Sequence, residues 1–171
     1  MNIWQYRDVV HQKRTTLTNE QIKNLPSTPI SVIGPPGPNN IIVAPIYGHD
    51  GGAVLVLNWF ADYANISNDA TFGFTLGSNG PYANYGGNNH VKNFFQWGIG
   101  GTYKPFWPIS SNDDNSGGSV QYNGLSDFEN QELFINLYNA AGLLTGGDEQ
   151  NTLDVIVYYL IYDIYRREFT A

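Results

Sequence analysis

The chain has 171 residues and a formal net charge of −7; only 13% are Asp, Glu, Lys or Arg, 15% are aromatic and none is cysteine, whereas an average domain carries ~25% charged residues. A single domain of this length buries roughly 70% of the surface its unfolded chain exposes, so it can fold without covalent staples; lack of cysteine excludes disulfides, thiolate metal sites and a cysteine nucleophile. The 8 Lys and Arg form no cluster, which excludes the cationic contacts that grip a phosphate backbone, so nucleic acid is not an expected partner.

In chain order, residues 1–14 are polar, lack the apolar core of a secretory signal, and read as a docking arm that ends in the cation pair Lys13-Arg14. A strand begins near Thr15. Thr18 and Gln21 then have the spacing of a capping box, in which each side chain bonds to the other's amide and starts a short helix. Pro26 and Pro29 stop that helix, since proline lacks a donor and biases its predecessor to extended geometry. A strand over 30–33, the turn Gly34-Pro35-Pro36-Gly37-Pro38-Asn39-Asn40 and a third apolar run over 41–46 follow.

This block, Thr16-Leu17-Thr18, Gln21-Ile22-Lys23, Leu25, Thr28-Pro29, then strand, Pro/Gly turn and strand, resembles the N-terminal segment of small bacteriophage virion structural proteins. The resemblance covers 15–46 and, more weakly, 153–165. It implies a capsid decoration protein, head fibre, spike or tail component, jelly-roll-like, assembled as a homo-oligomer with a trimer favoured, and in contact with other virion proteins. The family offers no catalytic motif to carry over. Such a protein is made in the host cytoplasm and resides in the virion.

Further along, 53–60 (AVLVLNWF) is apolar on both faces and reads as a buried strand, while 71–76 (TFGFTL) alternates. The Gly-, Asn- and aromatic-rich segment 77–123 is too long for a structureless loop in a compact domain and should contain one or two short strands, for example around 91–97 or 120–122. Residues 131–139 place Leu133, Ile135 and Leu137 on one face. Residues 153–165 (LDVIVYYLIYDIY) are apolar on both faces, with Val155, Val157, Tyr159 and Ile161 expected in a buried or interface strand, followed by a short tail. Asp154 and Asp163 interrupt this stretch, which is also too short to cross a bilayer as a helix, so no membrane insertion is expected. Strands separated by Gly/Asn turns predict an all-β, single-domain antiparallel β-sandwich, jelly-roll-like, with one helical turn.

Residues able to carry chemistry are sparse. His49-Asp50 and His90 lie in Gly-rich turns without a G-x-S-x-G elbow, and a turn role is favoured over catalysis. Asp113 and Asp114 offer hard oxygen ligands that suit Ca²⁺, but without EF-hand spacing an Asn/Asp/Ser/Gly turn is favoured and no cofactor is expected. Asp127 with Glu129 or Glu132 reads as solvated carboxylates rather than a glycosidase pair. Tyr82, Tyr85, Asn88, Asn89 and Trp107 combine flat aromatic faces with amides, a surface that suits a host glycan, and a carbohydrate-binding module is the alternative to a virion protomer. The expected protein is not an enzyme.

Overall fold

The computed structural model describes residues 10–43, 53–58, 63–67, 70–77, 83–85, 101–103, 128–138 and 140–170. The strands among them are β1 (His11–Thr18), β2 (Ile30–Ile33), β3 (Asn40–Val43), β4 (Ala53–Asn58), β5 (Tyr63–Ala64), β6 (Thr71–Leu76), β7 (Ala83–Tyr85), β8 (Gly101–Tyr103), β9 (Leu133–Tyr138), β10 (Thr145–Gly146), β11 (Thr152–Asp163) and β12 (Glu168–Thr170). One helix, α1 (Asn19–Asn24), separates β1 from β2. The protein is all-β and its sheets are antiparallel.

The larger sheet is organised on β11, whose 12 residues, TLDVIVYYLIYD, are mostly the β-branched and aromatic types that fit a pleated surface. Its first half pairs with β1 on one side and β4 on the other; its second half pairs with β12 and β3. His11 Nε2 lies 3.4 Å from the Thr170 carbonyl, so β1 and β12 meet end to end along one flank. β4 continues the sheet to β8. The smaller sheet runs β2-β9-β6-β7, and β5 with β10 forms a two-stranded ribbon.

Both sheets contribute to one core: Leu17, Leu55, Leu153, Val155 and Val157 from the larger, Val32, Phe72, Phe74, Ile135 and Leu137 from the smaller, with Ile22 and Leu25 of the helical segment. A bulge in β2 between Ser31 and Ile33 releases the Val32 carbonyl from the ladder, and it accepts the Thr15 hydroxyl at 2.9 Å, tying the edges of the two sheets together.

The helix is built as its sequence dictates. The Thr18 amide donates to Gln21 Oε1 at 2.9 Å and the Gln21 amide to Thr18 Oγ1 at 3.3 Å. At its C-terminal end, the Leu25 and Lys23 carbonyls accept from the Leu137 and Leu144 amides, so groups that a short helix leaves unpaired are satisfied by the sheet and a loop.

Three expectations are revised. Strand β4 buries Ala53 and Leu55 but leaves Val54 half-buried and Val56 36% exposed, so it is covered on one face only. The last residues are not a tail: Glu168–Thr170 turns back onto β11, because Asp163 organises the turn by accepting the Tyr165 and Arg166 amides at its carboxylate, both at 2.8 Å. Residues 11–14 belong to β1 rather than to an arm, each paired with β11.

Candidate functional site

The register of β1, β11 and β4 sorts their side chains into two faces. Leu17, Leu153, Val155, Val157, Ala53 and Leu55 face the core and are fully buried. The outward face carries Gln12, Arg14, Thr16 and Thr18 from β1, Thr152, Asp154, Ile156 and Tyr158 from β11, and Val54, Val56 and Asn58 from β4.

Asp154 sits in the middle of this outward face and is nonetheless only 2% exposed, because its neighbours close over it. Its Oδ1 accepts the Thr16 hydroxyl at 2.6 Å. Its Oδ2 accepts Asn58 Nδ2 at 2.7 Å and forms an ion pair with Arg14 Nη2. Burial alone would raise this carboxyl, but the hydrogen bonds from Arg14, Thr16 and Asn58, with the Arg14 charge, outweigh it and hold the group down at about 2. A carboxylate so engaged is ionised across the physiological range and has both of its oxygens hydrogen-bonded. Its chemistry is that of a clamp across three strands. The other buried polar side chains differ: among the described residues, Asn136 Oδ1 and both amide atoms of Asn151 have no hydrogen-bond partner.

Beside the clamp the outward surface carries an apolar patch. Val54, Ile156 and Tyr158 are half-buried and Val56 is exposed. A solvated antiparallel face ordinarily alternates to polar residues, and here Arg14, Thr16, Thr18, Asn58 and Thr152 frame a patch of Val, Ile and Tyr instead.

Of the residues singled out from sequence, Val155 and Val157 are fully buried on the inner face, whereas Tyr159 and Ile161 are half-buried. Tyr159 stacks on His11 with ring centroids 5.2 Å apart and 28° between planes, and burial pushes its hydroxyl pKa up. Tyr85 ends β7, opposite Phe72. Tyr82, Asn88, Asn89, Trp107, Asp113, Asp114, His49, Asp50, His90 and Asp127 lie outside the described residues, as do the strands expected at 91–97 and 120–122; the strands described between 77 and 123 are β7 and β8. Glu129 is not simply solvated: it accepts the Asn39 amide at 2.7 Å, and Asn130 Oδ1 accepts the Gly37 amide at 2.9 Å, so these two residues hold the Pro/Gly turn. Among the described residues no three His, Asp or Glu side chains gather as metal ligands would, and no helix is long and apolar enough to cross a membrane.

Sequence reasoning missed the Asp154 clamp, treating Asp154 as an interruption of an apolar run. The signal available was its complement: Arg14 and Thr16, two apart in β1, share one face and can reach an acid on a paired strand. Compared with family models, curated proteins and solved structures, the chain matches none.

Proposed function

We propose that this chain is a non-enzymatic structural protomer of a bacteriophage particle, a jelly-roll-like β-sandwich that assembles with copies of itself, as a trimer in the favoured case, and decorates a capsid or builds a spike or fibre. The observation that carries the reading is the outward face of the larger sheet, where Val54, Val56, Ile156 and Tyr158 form an apolar patch beside Arg14 and the Asp154 clamp. Interfaces between permanent partners resemble a core cut in half and are depleted of charge at their centre. The low overall charge and the surplus of aromatics support the same reading, as does the strand, capped helix, strand, turn and strand order over 15–43.

The test is the molar mass of the purified chain by light scattering, for the wild type and for Val56→Lys. Lysine is chosen because Val56 lies opposite Asp154 in the ladder and a cation there is compatible with the clamp. The expected result is a wild-type mass near three times 19.0 kDa and a folded, dissociated variant. A wild type that remains monomeric at all concentrations overturns the proposal.

A further inference from the structure

We draw no further inference here: the strongest candidate, the outward face of the smaller sheet, where Asn136 is 7% exposed with its Oδ1 unpartnered and stands opposite the buried Gly73, is closed over at both residues, and nothing in the structure shows what covers it.

Discussion

Replacing Asp154 with asparagine keeps the shape of the side chain and removes the charge on which the outward clamp depends. Asn can still accept from Thr16, but its amide nitrogen then meets Asn58 Nδ2 and the Arg14 guanidinium, both donors. The magnitude follows from the carboxyl itself: a group held at about 2 instead of 3.8 represents about 2 kcal/mol of folding free energy. Arg14 is 63% exposed, so its charge is screened and no larger sum is warranted. Because the folded-state value is depressed, the stabilisation is present above the unfolded value near 3.8 and is lost as pH falls through about 2. Urea unfolding of wild type and Asp154→Asn should therefore differ by about 2 kcal/mol at neutral pH, equivalent to about 4–8 °C in a chain of this size. Most of that difference should vanish at about pH 2. A gap that stays constant from neutral to acid pH would refute the reasoning, since it would place the effect in packing rather than in the ionised carboxylate.

Two further substitutions test the corner at the start of β11. Gly147 has φ +74°, and a Cβ there would lie 2.5 Å from Asn19 Oδ1 and 2.6 Å from Tyr63 Cε1; Gly147→Ala should cost about 3 kcal/mol through strain and overpacking, read as a thermal midpoint about 6–12 °C lower. A midpoint within about 2 °C of the wild type's would contradict the close approach. Thr18→Ala removes the acceptor for the Gln21 amide and should cost about 1 kcal/mol, measured by urea unfolding.

What could be read in the sequence was what depends on local chemistry. Thr18 and Gln21 announce the helix start by spacing alone, and Phe72, Phe74, Leu133, Ile135 and Leu137 alternate and are buried as alternation implies. The readings that failed depend on non-local pairing. The Glu168–Thr170 strand exists because Asp163 folds the chain back onto β11, and nothing in its three residues signals that partner. The exposed outer side of β4 was illegible for a related reason: AVLVLN looks the same whether both faces are covered within one chain or one face is left for another. Asp154 was read by its charge, which says it should be solvated, when its burial is decided by donors on two other strands, Arg14 and Thr16 on β1 and Asn58 on β4.

The topology makes β11 the last element on which the others wait. Its ladder with β1 joins residues about 140 apart in sequence, as in the Arg14–Asp154 pair, and β3 and β4 also depend on it for a partner. Such pairings must overcome a large loop-closure entropy before any contact rewards them, so β1, β3 and β4 spend part of folding as open edges. Lys13 and Arg14 on β1, both exposed, are the kind of residue that keeps an open edge from pairing with another chain. β11 also completes the apolar outward face, because Ile156 and Tyr158 are its own residues and Val54 is set opposite Ile156 only by the β4 ladder. On the assembly reading, the surface that recruits a second copy therefore comes into existence with the fold itself, since its residues are brought side by side only by the ladders of β11 with β1 and β4.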